Sequence, residues 1–274
     1  MKTSLLALPL FALLSVFLML TACRDQADHL ELSLSDSQLQ WVGQMVFQNE
    51  CAGKEACLVH WNAGEAFPSL GIGHFIWYPA GVDGPFVESF PRLISFMREQ
   101  SLSPPEWLLA LQPLDAPWPD REAFLQQENS SRVQSLREFL AGTKGAQAAF
   151  MFDRARTSLA SVLEAAPAGQ REQMRDSLVA LASTAGGTYA LIDYVNFKGE
   201  GLAERERYNG QGWGLLQVLE HMPHSDAADP LERFREAAGA VLTRRAEQAP
   251  KPIEKQQWLA GWLKRIATYR EPGD

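Results

Sequence analysis

Apolar residues recur at three- and four-residue steps along most of the chain, which is the spacing of amphipathic helices. Ser35 or Asp36 caps the first such segment, and Glu50 falls at its C-terminal end. Further segments with this period cover residues 88–99, 103–112, 119–141, 144–164, 168–183, 185–197, 211–222, 230–247 and 252–269. The pattern therefore predicts a mainly helical protein.

The helical period is lost between Cys57 and Tyr78, where glycine, proline and aromatic residues alternate with β-branched ones. Such a mixture is typical of short strands joined by turns. We therefore expect a helical domain with a small β-hairpin lobe directly after the helix that carries Glu50. At that end of a helix the dipole favours the protonated form of a carboxylic acid, as a general acid requires.

The first residues have the features of an export signal. Lys2 supplies a positive charge, residues 5–20 are apolar, and small residues precede Cys23. The run from Leu20 to Cys23 also resembles the lipobox of bacterial lipoproteins, which implies that Cys23 is lipidated. An ordinary signal peptide or a transmembrane anchor remains an alternative, although the apolar run is short for a membrane span.

The resemblance to lipoproteins also implies a location. Arg24 follows the cysteine, and in lipoproteins a residue other than aspartate there favours the periplasmic face of the outer membrane over the inner membrane. The predicted organisation is a signal peptide at 1–22, a lipidated tether at 23–34 and one domain at 35–274.

Two further cysteines, Cys51 and Cys57, lie six residues apart. In an oxidising periplasm such a pair most simply forms one local disulfide, and two free buried thiols are the alternative. The bridge would hold the chain just after Glu50.

The net charge and the spacing of possible metal ligands limit which partners and cofactors we expect for this chain. The formal net charge is −8, so the chain lacks the basic character that nucleic-acid binding requires. We predict no cofactor and no metal, because His221, His224, Asp226 and Asp229 lack a recognised ligand spacing. The oligomeric state is not predicted.

A second glycine-rich stretch at 196–214 interrupts the helices. Aromatic faces stack on sugars and amides bond their hydroxyls, so residues of this stretch are candidate sugar contacts: Glu200, Tyr208, Asn209 and Trp213. The alternative is a loop around a buried tryptophan. The remaining tryptophans of the helical segments, at 107, 118, 258 and 262, are predicted to pack in the core.

Glu50, the predicted hairpin and the run Ser69-Leu70-Gly71-Ile72-Gly73-His74 follow one another in an order that resembles phage-type lysozymes of the lysozyme-like superfamily. In that family a helix-terminal Glu is followed by a hairpin carrying an Asp and then by Thr-x-Gly-x-Gly-His. Ser69 stands here for the Thr, and Asn62 falls near the Asp position.

The similarity extends beyond the hairpin. Residues 190–201 resemble the family's buried helix and the Gly-Glu turn after it, and residues 262–270 resemble its basic final helix. The resemblance thus covers about 36–270, with larger helical insertions in the middle. It implies an α+β lysozyme-like fold and an enzyme that cleaves peptidoglycan glycan strands.

The resemblance also implies roles for individual residues. Glu50 would be the general acid, with Asn62 and Ser69 as positioning groups. From its place four residues before Ser69, Glu65 is our candidate for a second carboxylate, and a solvated surface residue is the alternative. His74 is expected to bond within the hairpin or contact substrate more than to transfer protons. Without a second carboxylate, a lone Glu supports the mechanism of lytic transglycosylases. A non-catalytic lipoprotein that binds peptidoglycan or another protein is the alternative function.

Overall fold

A computed structural model describes residues 34–82, 84, 86–223 and 229–273. Most of them are helical, and the strands form two small antiparallel sheets. The prediction of a mainly helical protein is therefore confirmed. The predicted signal peptide, Cys23, nearly all of the tether, His224 and Asp226 lie outside the described residues.

The N-terminal part contains α1 at Asp36–Cys51, a 3-10 turn at Glu55–Leu58 and the strands β1 at Val59–His60, β2 at Ser69–Leu70 and β3 at Phe75–Ile76. The helices that follow are α2 at Phe90–Glu99, α3 at Glu106–Leu109, α4 at Arg121–Gln127, α5 at Ser131–Gly142, α6 at Lys144–Ala165, α7 at Arg171–Ala182 and α8 at Ala185–Lys198. The C-terminal part contains β4 at Arg207–Tyr208, β5 at Gln211–Gly212, α9 at Leu215–His221, α10 at Pro230–Gln248 and α11 at Leu259–Ile266.

Four predicted helices differ from the observed ones. The segment at 119–141 is two helices, because the Ser130 hydroxyl accepts the Val133 N–H and caps a new start. The segment at 103–112 contains only α3, which begins after Pro105. The segment at 252–269 begins with a π-helical turn at Glu254–Trp258 before α11.

The segment at 211–222 starts as a strand and becomes helical only at α9. β4 and β5 pair as an antiparallel hairpin whose two connecting residues, Asn209 and Gly210, have φ values of 51° and 76°. An Asn-Gly pair favours such a two-residue turn, so the sequence contained a local signal for this hairpin.

Helix α8 runs through the centre of the molecule. All of its residues from 185 to 194 are buried, and both α1 and α6 pack against it. Among the described helices none is by itself long and apolar enough to cross a membrane, and the pair α7 and α8, bent by 114°, passes that test only together.

Helix α1 also crosses the start of α6, and the crossing depends on a glycine. A Cβ atom on Gly43 would lie 2.3 Å from the carbonyl oxygen of Lys144. We expect Gly43→Ala to lower the free energy of unfolding by about 1–3 kcal/mol, because the two backbones must separate. Chemical denaturation measures this change.

Gly142→Ala is the matched control for the crossing, since nothing lies within 4 Å of its would-be Cβ. Alanine has the better helix propensity, so this change is expected to be neutral or to stabilise by up to ~1 kcal/mol. Equal effects of the two substitutions would contradict a backbone contact at Gly43.

The lobe after α1 is a three-stranded antiparallel sheet in the order β1-β2-β3, one strand more than the predicted hairpin. Ser69 pairs with His60 on one side and with Ile76 on the other. The predicted disulfide between Cys51 and Cys57 is present, so the last residue of α1 is bonded to the 3-10 turn that precedes the sheet.

Candidate active site

Glu50 lies in the last turn of α1, with 22% of its side chain exposed. Its Oε1 accepts a hydrogen bond from the Arg265 guanidinium of α11, and its Oε2 lies 3.6 Å from His74 Nε2. Residues from three distant parts of the chain therefore meet at one carboxylate.

Arg265 is held in turn by a buried carboxylate, Asp193 of α8. Its Nε and Nη2 donate to the two Asp193 oxygens, each at 2.8 Å. Tyr269 and Asn49 donate to the same carboxylate at 2.8 and 3.0 Å. Because Asp193 is almost fully buried and accepts four hydrogen bonds, Arg265 has a fixed position beneath Glu50.

The electrostatics of this cluster keep its donors protonated. Burial lowers the pKa of Arg265, but its hydrogen bonds to Asp193 and the charges of Asp193 and Glu50 outweigh that effect and raise it. Burial and then the Asp193 charge hold the pKa of Tyr269 well above its usual value. Both groups thus remain hydrogen-bond donors throughout the neutral range.

His74 ends the Gly-Ile-Gly-His run in the turn between β2 and β3, and its φ of 48° is in the left-handed region. We expect its side chain to bond within the hairpin or to contact substrate. In the structure its half-exposed imidazole faces Glu50, so His74 belongs to the candidate site, and substrate contact stays a prediction.

The second predicted carboxylate belongs to a cluster on the sheet. Glu65 Oε2 accepts from Asn62 Nδ2 at 3.1 Å and from the Ser69 hydroxyl at 3.3 Å. Its backbone carbonyl accepts the Trp61 indole N–H at 2.9 Å. The candidate second carboxylate and the two predicted positioning groups thus lie together, and two neutral donors hold the Glu65 carboxylate.

A groove of about 290 Å³ opens beside His74. The turn and β3 form one wall, the segment before α2 a second, and α6 and the end of α8 the remainder. The lining residues are Gly73, His74, Ile76, Val87, Ser89, Met151, Arg154, Ala155, Ser158, Val195 and Asn196.

The other predicted sugar contacts lie in and around the second hairpin. Tyr208 donates its hydroxyl to Glu254 at 2.7 Å, and Trp213 is only 7% exposed with the Arg245 guanidinium 4.0 Å from its ring centroid. Asn209 is exposed at the turn, and Glu200 is half-buried. The hairpin therefore matches the alternative of a loop around a buried tryptophan.

Two of the tryptophans that were predicted in the core, Trp258 and Trp262, differ in how far their side chains are exposed. Trp258 is 45% exposed, so this prediction was wrong for it, because the π-helical turn moves it off the buried face. Trp262 is nearly buried and places its ring 3.4 Å from the amine of Lys198.

Lys198 is a buried lysine, and the sequence pattern did not indicate its burial. Its amine also lies 4.0 Å from the Phe197 ring centroid. Burial, followed by the charge of Arg245, lowers the pKa of Lys198 to about 7, although Glu254 opposes this shift. The fold therefore favours the neutral amine.

A pH dependence of stability follows. Between pH 7 and the ordinary lysine value of 10.5, the unfolded chain holds a proton that folded Lys198 has released, so stability rises with pH. From pH 7 to 9 we expect a rise of about 2 kcal/mol in the free energy of unfolding. Urea titrations across this range measure it.

Lys198→Met keeps the apolar stem and removes the titrating amine. The variant is expected to lose the rise with pH and to be more stable than the wild type at pH 7. A rise of equal size in both proteins would contradict the assignment to Lys198.

The structure also bears on metal binding. In the part of the chain that it describes, no three His, Cys, Asp or Glu residues are grouped to hold a metal ion. His221 Nε2 lies 2.6 Å from an Arg244 nitrogen, and Asp229 caps α10.

Comparisons of the chain with protein-family models, with curated proteins and with solved structures found no match.

Proposed function

We propose that this chain is a lysozyme-like glycosidase that cleaves the bond between N-acetylmuramic acid and N-acetylglucosamine in peptidoglycan, with Glu50 as its general acid. The observation that carries the proposal is the position of Glu50. A helix-terminal carboxylate accepts a hydrogen bond from an arginine and faces a histidine that lines a groove, and the sheet that follows bears a second carboxylate.

The reaction needs a proton on the leaving oxygen and stabilisation of an oxocarbenium-like transition state. Glu50 would give its proton to the glycosidic oxygen as the bond to the anomeric carbon breaks. In hydrolysis, water then attacks that carbon and returns a proton to Glu50. In lytic transglycosylation, a hydroxyl of the muramic acid residue attacks that carbon instead, gives its proton to the Glu50 carboxylate and closes an anhydro ring.

The neighbouring residues would support these steps. Arg265 fixes the rotamer of Glu50, and its own position is set by Asp193. Positioning of this kind accounts for a large part of enzymatic rate enhancement. Glu65, with Asn62 and Ser69, would stabilise positive charge on the sugar or orient a water molecule.

A non-catalytic role in binding peptidoglycan or another protein is the second candidate. It is favoured by Asn62 at the position where phage-type lysozymes carry Asp. The engagement of both Glu50 oxygens by Arg265 and His74 also favours it. Binding to sacculi without release of products would identify this role.

The proposed location is the periplasmic face of the outer membrane, with a lipid on Cys23 as the anchor. Peptidoglycan strands would then be within reach of a tethered domain. Metabolic labelling with a fatty acid, compared between wild type and Cys23→Ser, tests the anchor.

Digestion of purified sacculi by the full-length chain in detergent tests the proposed activity. Reducing ends among the soluble products would identify a hydrolase, and anhydro-muramic ends a transglycosylase. A folded protein that releases neither product contradicts the proposal of an enzyme.

A further inference from the structure

The groove beside His74 carries a cation on its wall. Arg154 of α6 lines the groove opposite the turn, and its guanidinium lies 5.8 Å from the ring centroid of Phe150. Within the described residues Arg154 forms no hydrogen bond and no ion pair with a carboxylate. Among the residues that the structure describes, no carboxylate pairs with this positive charge on the groove wall.

A second arginine increases this positive potential. Desolvation by burial, followed by the nearby charge of Arg92, lowers the pKa of Arg154. Two like charges without a carboxylate between them are unfavourable, and an anion bound to Arg154 would relieve the repulsion. A guanidinium matches a carboxylate in geometry, since its parallel N–H groups can bond both oxygens.

The groove and the candidate catalytic residue share one side chain. His74 lines the groove, and its Nε2 lies 3.6 Å from Glu50 Oε2. A ligand in the groove would therefore contact the imidazole that faces the Glu50 carboxylate. Ser158 and Asn196 add a hydroxyl and an amide to the lining, and about 290 Å³ is close to the lower limit for small-molecule sites.

We propose that this groove binds an acidic substituent of the glycan next to the bond that is cleaved, and that Arg154 recognises its carboxylate. The inference rests on the proposed function and specifies its substrate. In peptidoglycan the carboxylate is carried by the lactyl group of muramic acid or by the short peptide attached to it. A polymer of N-acetylglucosamine alone has no such group, so Arg154 would select against it.

Equilibrium binding separates this selectivity from catalysis. The full chain with Glu50→Gln, which prevents turnover, is titrated with three soluble glycans of equal length in a calorimeter. The ligands are a chito-oligosaccharide, a glycan with peptide-free muramic acid, and the same glycan with its peptides. We expect at least one acidic glycan to bind about 10-fold or more tightly than the neutral one, as a charge-assisted hydrogen-bond pair allows.

Adding Arg154→Met removes the charge and keeps an apolar stem. We expect this variant to bind the acidic glycans no more tightly than the chito-oligosaccharide, whose affinity stays unchanged. Arg235→Met, an exposed arginine on α10 beside Glu232, is the matched control and should leave all three affinities as they were. Tight binding of the peptide-free glycan would assign the carboxylate to the lactyl group, and tight binding only of the peptide-bearing one would assign it to the peptide.

The outcomes distinguish this inference from the proposed function. Equal affinity for neutral and acidic glycans, or a preference that survives Arg154→Met, overturns the role of Arg154 while glycan binding still supports the proposed function. Failure to bind any of the three glycans overturns both.

Discussion

Glu50→Gln is expected to abolish release of products from sacculi, with a loss of about 10²–10⁴-fold or more, because an amide cannot supply the proton that the leaving oxygen needs. The fold should tolerate the change. Glutamine keeps an acceptor for Arg265, and Asp193 continues to hold that arginine with two hydrogen bonds. Product release is measured by chromatography of digests, and the melting curve is recorded alongside.

Two further variants test whether the loss of activity is specific to Glu50. Glu232→Gln changes an exposed carboxylate on α10 and should retain full activity. Glu65→Gln tests the second carboxylate, since a large loss indicates two acidic groups and retained activity indicates a lone Glu50. Full activity of Glu50→Gln would eliminate this residue as the general acid.

Asp193→Asn is expected to have the largest effect on stability of any change discussed here, lowering the free energy of unfolding by about 3–5 kcal/mol. The carboxylate is fully buried and accepts from Arg265, Tyr269 and Asn49. An amide of the same shape removes the negative charge and turns an NH₂ group toward these donors. Arg265 is then left in the interior with the partly exposed Glu50 as its counter-ion.

Urea denaturation followed by circular dichroism measures this loss. Asp153→Asn is the matched control, because its exposed carboxylate pairs with Arg156 at a spacing of three residues, and its loss should be below about 0.5 kcal/mol. A loss of similar size at position 193 would mean that the buried network does not stabilise the fold. Activity of Asp193→Asn should also fall, since Arg265 would no longer be fixed beneath Glu50.

Part of the candidate site could be predicted from local sequence. Glu50 at a helix end, the disulfide after it and the grouping of Asn62, Glu65 and Ser69 depend on residues within about twenty positions of one another. Over such distances the helical period, the loss of that period and the cysteine spacing constrain where side chains can lie.

The partners of Glu50 could not be predicted in this way. Arg265 is 215 positions from Glu50 along the chain. Asp193 lies in a mostly apolar helical segment, and no local pattern indicates that its carboxylate pairs with Arg265. Trp213 is buried, with Arg245 of α10 against its ring, and Trp258 is exposed because it lies in the π-helical turn; neither environment follows from the local apolar pattern. Arg154 lies in an ordinary helical segment, and only the approach of the turn at His74 makes it part of a groove.

From the sequence we could predict the mainly helical class, most helix positions, the small sheet after α1 and the place of Glu50 at the end of that helix. These features follow from caps, periodicity and turn residues, which act between near neighbours in the chain. Only the packing of distant segments brings the Glu50 carboxylate against Arg265 and His74 and places a cation on the wall of a groove. A pattern of apolar positions specifies which face of a helix is buried. Which residues meet across that face depends on how the helices pack, and the pattern does not contain this information.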